Sequence, residues 1–315
     1  MEHIVFLDRE SIRADFRQPE FAHTWRDHPN TDTAQVVERL RDATIVISNK
    51  VPIGAAHLAR LPQLRMIAVC ATGTNNIDLD ACRARGIAVS NIRDYAVHTV
   101  PEHVFMMILA LRRNLVVYRD DVRTGAWQRA AQFCLLTHPI ADLHGSALGI
   151  VGFGTLGHAV ARLGEAFGMR VLVADHRDAT ALRPGRVAFS EMLAESDVIT
   201  LHCPLTERTR NLIGREELAR MRRNALLINT ARGGLVDEAA LAEALHNNAI
   251  AGAGFDVLSE EPPHRGNPLL APDIPNFLLT PHVAWSSSEA MQFMANQLID
   301  NMEAFVRGQR RNRVA

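Results

Sequence analysis

The chain has 315 residues, of which 47% are hydrophobic and 22% are charged, and its formal net charge is −1. This length is enough for one large or two medium domains with substantial cores. A charge this close to zero produces no strong field to attract nucleic acid or an anionic membrane, so neither partner is expected. The first fifteen residues lack the pattern of a signal peptide, and the apolar run at 104–111 is too short to cross a bilayer. The cysteines show neither a CxxC pair nor a zinc spacing, so we expect reduced thiols, a cytoplasmic protein and no metal site (Cys70, Cys82, Cys134 and Cys203).

The first part of the chain alternates short apolar runs with helical segments. Strands are predicted over Ile4–Leu7, Thr44–Ser48, Met66–Cys70 and Ala88–Ser90, and helices over Thr33–Arg41, Gly54–Leu61 and Leu79–Arg85. Such alternation indicates a parallel sheet covered by helices on both faces. A long helix is predicted from Glu102 to about Thr124, with Pro101 in its first turn and Thr99 as its cap.

A second series of strands and helices begins at Ala147. Its strands are predicted over Ala147–Val151, Arg170–Ala174, Val198–Leu201, Ala225–Asn229, Ala253–Val257 and Phe277–Thr280, and a last amphipathic helix over Ser287–Val306. The predicted fold class is therefore α/β, with two Rossmann-like doubly wound domains built on parallel sheets. Residues 100–286 are expected to form a domain inserted into a discontinuous one made of residues 1–99 and 287–315.

A Gly-x-Gly-x-x-Gly motif follows the first strand of this second series. It predicts a dinucleotide held by the loop residues Gly152, Phe153, Gly154, Thr155, Leu156 and Gly157. The helix that opens here offers unpaired N–H groups to a pyrophosphate. Asp175 ends the next apolar run, eighteen residues after the last glycine, where an acid binds the ribose hydroxyls. A carboxylate there repels a 2′-phosphate, so NAD is expected as the cofactor and NADP is less favoured, and residues 100–286 become the NAD-binding domain.

Three further polar side chains follow predicted strands of the same sheet. Arg232, Glu261 and His282 all come after the carboxyl ends of such strands, so they are expected to converge. A guanidinium binds a carboxylate, an imidazole supplies a proton to a carbonyl oxygen, and a nearby carboxylate orients that imidazole. This trio suits the reduction of a 2-oxo acid. Asp237 is interpreted instead as the N-cap of the following helix.

Several longer motifs carry a family resemblance. Gly152–Gly157 with Asp175, 202–206, Asn229–Asp237, Asp256–Pro263 and Thr280–Trp285 resemble the D-isomer-specific 2-hydroxyacid dehydrogenases over nearly the whole chain. The resemblance implies that Arg232, Glu261 and His282 are catalytic. It also implies that the dinucleotide contacts a second group of residues, namely Cys203, Pro204, Thr206, Thr230, Ala231, Arg232, Asp256 and His282.

Within that family the chain is most similar to the glycerate dehydrogenase and hydroxypyruvate reductase branch, on the segments 48–52, 71–78, 91–95 and 132–136. The implied substrate is a small 2-oxo acid of the hydroxypyruvate or glyoxylate type, reduced to its D-2-hydroxy acid. It would be bound by Lys50, Thr72, Gly73 and Thr74 together with Arg232 and His282. The implied assembly is a homodimer formed through the NAD-binding domain. Alternatives are phosphite or phosphoglycerate oxidation, or an NAD-sensing protein related to transcriptional corepressors.

Overall fold

The structure is a computed structural model that describes all 315 residues, and the chain divides into two compact units. One unit comprises Met1–Tyr95 and Ser286–Ala315, and the other comprises Ala96–Trp285. Each unit contains one sheet in which every strand pair is parallel. The predicted α/β class with two doubly wound sheets is confirmed, and the second unit is inserted into the sequence of the first.

The discontinuous unit is built on a sheet of five strands. These are β1 (Glu2–Phe6), β2 (His23–Asp27), β3 (Ile45–Ser48), β4 (Met66–Val69) and β5 (Ala88–Ser90), in the spatial order β2-β1-β3-β4-β5. Its helices are α1 (Val36–Arg39), α2 (Ala55–Leu58), α3 (Leu79–Ala84) and the C-terminal helix Ser288–Val306, which Ser287 caps by accepting from the Ala290 amide. The strands β3 and β4 are buried throughout, which is typical of parallel strands covered on both faces.

The edge strand β2 was not predicted. It pairs with β1 over its whole length, but four of its five residues are polar or charged and none is fully buried. Such a strand carries no apolar run, because an exposed edge is commonly protected by charged side chains.

The inserted unit is built on six strands. These are β6 (Ala147–Val151), β7 (Arg170–Val173), β8 (Val198–Leu201), β9 (Leu226–Asn229), β10 (Gly252–Phe255) and β11 (Phe277–Leu279), in the order β11-β10-β9-β8-β6-β7. Its helices are α4 (Thr99–Arg112), α5 (Leu115–Arg123), α6 (Thr155–Ala166), α7 (Phe189–Glu195), α8 (Arg215–Arg220) and α9 (Glu238–His246). All six predicted strands form, each within two residues of its expected ends.

The long helix predicted after Pro101 is wrong in two respects. It is interrupted at Asn114, whose left-handed φ of +50° separates α4 from α5, and whose side-chain amide donates to the Pro139 carbonyl at 2.5 Å. Asparagine tolerates this conformation better than most residues, so the apolar pattern could not reveal the break. Thr99 is the first helical residue rather than the cap, and its hydroxyl donates to the Ala284 carbonyl. None of the helices combines the length and the apolar character needed to cross a membrane.

Candidate active site

The six strands of the inserted unit place the predicted site residues along one edge of the sheet. Each strand is followed along the chain by one of these residues. Taken across the sheet, the residues are His282 after β11, Asp256 after β10, Arg232 after β9, Cys203 after β8, Gly152 after β6 and Asp175 after β7. The first and last strands of this row are five strand-to-strand spacings apart, so its two ends are separated by about 24 Å. The carboxyl edge of such a sheet is where doubly wound folds bind their ligands.

The three motif glycines have different surroundings. Gly152 has φ +91°, and a Cβ atom there would lie 2.6 Å from the Cys203 backbone nitrogen. A Cβ on Gly157 would lie 2.3 Å from the Gly152 carbonyl oxygen. Both are therefore required by the protein's own packing. A Cβ on Gly154 would meet no protein atom within 4 Å, although this residue caps the twelve-residue helix α6. The open start of α6 fits a pyrophosphate, because its first N–H groups are not used by the preceding turn.

The loop residues beside these glycines are exposed or half-buried. Thr155 is exposed and Leu156 is half-buried, in the first turn of α6. The Phe153 ring lies 3.8 Å from the His158 ring, between centroids, and the Arg186 guanidinium lies 4.6 Å from its centroid. Phe153 is thus held by side chains from two neighbouring segments.

Asp175 is buried and already hydrogen-bonded. Its oxygens accept from the backbone amides of His176 and Arg183, both at 2.8 Å, and from the Arg183 guanidinium at 2.5 and 2.9 Å. The Arg183 hydrogen bonds hold the pKa of Asp175 well below its usual range, so the side chain is a carboxylate. The nearer arginine in sequence, Arg177, pairs instead with Glu217 at 2.9 Å. The cation that pairs with Asp175 is therefore Arg183.

The segment after β8 lies against the glycine loop. The His202 amide donates to the Val151 carbonyl at 2.7 Å, and its Nε2 atom lies 2.9 Å from the Thr200 hydroxyl. Burial lowers the pKa of His202 to about 4 and raises the pKa of the Cys203 thiol. The remaining two predicted cofactor residues of this segment, Pro204 and Thr206, are exposed.

The loop after β9 is shaped by Asn229, which is 1% exposed at the end of that strand. Its side-chain amide donates to the Arg232 carbonyl at 2.9 Å, and its oxygen accepts from the Ala231 amide at 3.1 Å. The Arg232 side chain is exposed, while the buried Thr230 hydroxyl makes no hydrogen bond within the protein. A buried hydroxyl normally has a partner, so Thr230 fits a residue that completes its hydrogen bonding with a bound ligand.

The Arg232 loop interlocks with the loop that carries Glu261. A Cβ on Gly233 would lie 1.8 Å from the Leu258 carbonyl oxygen, so only glycine permits this approach. Glu261 accepts from the Leu258 amide at 2.8 Å through Oε1, and its Oε2 atom lies 2.5 Å from His282 Nδ1. The structure thus brings Glu261 and His282 into direct contact and connects their loops to that of Arg232. With Nδ1 engaged, Nε2 is the ring atom of His282 that can exchange a proton with a substrate.

The backbone around His282 is unusual. This residue has φ +55°, a left-handed conformation that is rare outside glycine and that costs about 1–3 kcal/mol. Its amide donates to the carbonyls of Asp256 and Thr280, at 2.9 and 3.0 Å. The Asp256 carboxylate accepts from the amides of Val283 and Ala284, at 2.9 and 2.8 Å. Asp256 is 2% exposed, so in this structure it braces the His282 turn.

The residues predicted to bind substrate through the discontinuous unit lie after β3 and β4. The backbone amide of Lys50 donates to Asp8 at 2.7 Å. The Thr72 hydroxyl donates to the Ile92 carbonyl at 2.7 Å, and the Thr74 carbonyl accepts from the Ile77 amide at 3.0 Å. Gly73 lies between these two threonines. These contacts fix the loop.

Four residues that shape the site were not predicted as part of it. Asn229 and Gly233 lie within a predicted motif without a role of their own, and neither Arg183 nor His103, whose Nε2 atom lies 2.9 Å from the Thr280 hydroxyl, was predicted. A buried polar residue at a strand end and adjacent glycines after it are sequence signals that could have indicated the first two. Arg183 reaches Asp175 from a loop eight residues further along, and His103 reaches Thr280 across 177 positions, so no local pattern reveals either contact.

Comparison with known proteins supports the architecture and the class of cofactor. Residues 105–284 match the model of the D-isomer specific 2-hydroxyacid dehydrogenase, NAD binding domain. The chain is 52% identical to a glycerate dehydrogenase of Methylorubrum extorquens over 98% of both chains. It is 34% identical to a hydroxypyruvate reductase of Blautia hydrogenotrophica, over 88% of this chain and 87% of that one. A crystal structure of a Thermus thermophilus protein superposes with a TM-score of 0.85 and 32% identity, covering 99% of this chain and all of the other.

The fold and the edge of the inserted sheet define an oxidoreductase that uses a nicotinamide dinucleotide. The chain belongs to the D-isomer-specific 2-hydroxyacid dehydrogenase family, and the resemblance of its motifs to that family is confirmed.

Proposed function

We propose that this protein interconverts a small 2-oxo acid of the hydroxypyruvate or glyoxylate type and the corresponding D-2-hydroxy acid, with NAD(H) as its cofactor. The contact between His282 Nδ1 and Glu261 Oε2, at 2.5 Å, is the observation that carries this proposal. Reduction of a carbonyl to an alcohol needs a proton for the oxygen, and an imidazole oriented by a carboxylate can supply it. The names of the relatives with 52% and 34% identity support this substrate class.

The dinucleotide, when bound, supplies or accepts the hydride. The residues proposed to hold it are the loop Gly152–Gly157, Asp175, the segment Cys203, Pro204 and Thr206, the segment Thr230–Arg232, Asp256 and His282. The open space at Gly154 and the unpartnered Thr230 hydroxyl support this set. Asp256 is proposed to act mainly by bracing the His282 turn, since both of its oxygens already accept hydrogen bonds from that segment.

The chemistry of the chain follows from three side chains. Protonated His282 donates from Nε2 to the carbonyl oxygen as the carbonyl carbon is reduced, and the proton returns to Nε2 in the reverse direction. The Glu261 carboxylate accepts the hydrogen bond from the Nδ1–H group of His282, so that this proton stays on the ring, and its charge stabilises the protonated ring. Arg232 binds the substrate carboxylate with its guanidinium, and its loop is fixed by Asn229 and by Gly233 against Leu258.

A preference for NAD over NADP is proposed from Asp175, a buried carboxylate after β7. A 2′-phosphate would face its negative charge, whereas ribose hydroxyls can donate to it. Arg183, whose side chain is 53% exposed, is able to leave Asp175 and moderates this preference.

In the discontinuous unit we propose that Lys50, Thr72, Gly73 and Thr74 contribute to substrate binding. Successive backbone N–H groups in such a loop can bind a carboxylate. The hydrogen bonds of Thr72 and Thr74 with Ile92 and Ile77 support a loop that is ordered before substrate arrives.

A homodimer is proposed through the inserted unit. Large apolar side chains on α5 and in the loop that follows it are at least a third exposed, namely Leu115, Val116, Val117, Val122, Trp127, Phe133 and Leu136. Phe133 and Leu136 are 88% and 83% exposed, an arrangement that favours contact with a second copy. Sedimentation equilibrium should show a dimer, and replacing Phe133 and Leu136 by serine should weaken it. A wild-type monomer at micromolar concentration contradicts this part of the proposal.

The decisive test of function is a steady-state assay of NADH oxidation with hydroxypyruvate, glyoxylate, phosphohydroxypyruvate and pyruvate, repeated with NADPH. We expect the highest kcat/KM with hydroxypyruvate or glyoxylate and NADH. Faster turnover of the phosphorylated acid, or oxidation of phosphite, would reassign the substrate. NADH binding without turnover of any acid would indicate a sensing protein instead of an enzyme.

A further inference from the structure

Helix α4 contacts the segment that carries His282 at two points. The Thr99 hydroxyl donates to the Ala284 carbonyl at 3.1 Å, and His103 Nε2 lies 2.9 Å from the Thr280 hydroxyl. Thr99 and His103 are four residues apart, so they lie on the same face of the helix. This face therefore contacts both sides of the His282 turn, at residues 280 and 284.

The hydrogen-bond partners of Thr280 determine where the His103 proton lies. A hydroxyl has a single proton, and that of Thr280 is donated to Asp256 Oδ1 at 2.5 Å. The contact with His103 must then be an Nε2–H donor to the Thr280 oxygen. Burial lowers the pKa of His103 below 6.5 even though the Asp256 carboxylate lies 3.7 Å away. A neutral imidazole with its proton on Nε2 satisfies this geometry.

The chain of contacts continues from Asp256 into the catalytic turn. Asp256 Oδ1 accepts from the Thr280 hydroxyl and the Val283 amide, and Oδ2 accepts from the Ala284 amide. The carboxylate can bond both amides well only if its plane is fixed, and the Thr280 hydroxyl is the one side-chain group that donates to it. The His103 donor fixes the direction of that hydroxyl.

We propose that His103 is a positioning residue for catalysis: through Thr280 and Asp256 it holds the left-handed turn at His282 in the orientation needed for proton transfer. The proposal rests on the function proposed above. The polar partners of His103 in the structure are Thr280, at 2.9 Å, and Asp256, at 3.7 Å. It acts on the reaction only through the buried carboxylate and the backbone amides that this carboxylate orders.

The test compares His103→Leu with His103→Gln. A glutamine amide can donate from nearly the same position, whereas leucine fills the space without a donor. We expect His103→Leu to lower kcat about tenfold with little change in the KM of the 2-oxo acid, because small errors in placing a catalytic group are costly. His103→Gln should restore at least half of the lost kcat. Glu102→Gln, an exposed neighbour outside this network, is the matched control and should match the wild type.

A second measurement does not depend on turnover. Hydrogen exchange of the Val283 and Ala284 amides should be faster in His103→Leu than in wild type, and near wild type in His103→Gln. If the wild type reduces no 2-oxo acid, the proposed function fails, yet this exchange measurement still tests the network. The positioning role is overturned if His103→Leu keeps kcat within twofold of wild type. It is equally overturned if His103→Leu and His103→Gln lose kcat to the same extent, or if hydrogen exchange of the amides at 283 and 284 is unchanged in His103→Leu.

Discussion

The two ends of the inserted sheet hold their buried aspartates in different ways. At the β10–β11 end, Asp256 is bound by two backbone amides and by Thr280, which is itself fixed by His103. At the β7 end, Asp175 is bound by two backbone amides and by the guanidinium of Arg183, whose side chain is 53% exposed. The partners of Asp256 lie on its neighbouring strand and on a half-buried helix face, whereas the side-chain partner of Asp175 is an exposed arginine, which can leave. The first end is built to keep the His282 turn in one geometry, and the second allows a partner to be exchanged.

The largest expected effect lies at the rigid end. His282→Ala should lower kcat by about 10²–10⁴-fold, because it removes the proton donor, while NADH affinity should fall far less because the other proposed dinucleotide contacts remain. Steady-state rates with hydroxypyruvate and fluorescence titration with NADH measure these two quantities. Glu261→Gln should keep the Nδ1 contact without the charge and so give a smaller loss of kcat. Near-normal turnover of His282→Ala would mean that the rigid turn has no role in proton transfer.

His202 lies between the two ends, after β8, and tests whether the middle of the edge is equally rigid. Burial lowers its pKa from 6.5 to about 4, so between these values the unfolded chain binds a proton that the folded chain does not. Stability should therefore fall as pH decreases through this window, and because the side chain is only half-buried the loss due to this residue should be at most about 2 kcal/mol by pH 5. Urea unfolding at pH 7.5 and pH 5 measures it.

The variant His202→Gln should show a smaller loss of stability on acidification than the wild type. His246 provides a control of opposite sign, because hydrogen bonds to Ala242 and Asp273 raise its pKa. The stability that protonated His246 contributes is present at low pH and is lost as pH rises. His246→Gln should therefore make the loss of stability on acidification slightly steeper. Equal declines in His202→Gln and wild type would show that His202 is solvated and that this part of the edge opens.

Gly154 separates the demands of the cofactor from those of the fold. Because a Cβ there meets no protein atom within 4 Å, Gly154→Ala should unfold at the wild-type temperature. The same Cβ would intrude on a bound pyrophosphate, so NADH affinity should fall about tenfold, or about 1.4 kcal/mol. Gly54→Ala is the control, since Gly54 also has open space but lies in the other unit. Unchanged NADH affinity in Gly154→Ala would show that the pyrophosphate does not bind at this loop.

Much of this edge was predictable because local sequence determines it. The glycine loop, Asp175, Arg232 and His282 each follow a short apolar run, and parallel strands bring their carboxyl ends to one edge. The Asp237 cap was also predicted correctly, and its side chain accepts from the amides of Ala239 and Ala240.

The features that the sequence did not reveal leave no local pattern in it. His103 reaches Thr280 across 177 positions of the chain, and a histidine on an apolar helix carries no sign of its partner. Arg183 lies eight residues after Asp175 in a loop whose path no periodicity specifies. The break at Asn114 and the polar edge strand β2 were missed because both lack an apolar pattern.

The smallest expected effect lies at the exchangeable end and concerns the choice of cofactor. If Arg183 moves from Asp175 to a 2′-phosphate, Arg183→Ala should lower kcat/KM for NADPH about three- to tenfold, since one exposed charge-assisted contact contributes about 1 kcal/mol. NADH should be affected little, because Asp175 keeps its backbone partners and gains freedom to accept the ribose hydroxyls. Arg177→Ala is the matched control, as its guanidinium is engaged by Glu217. An equal loss for both cofactors in Arg183→Ala would mean that Arg183 only supports the loop, and the two ends of the sheet would then be rigid alike.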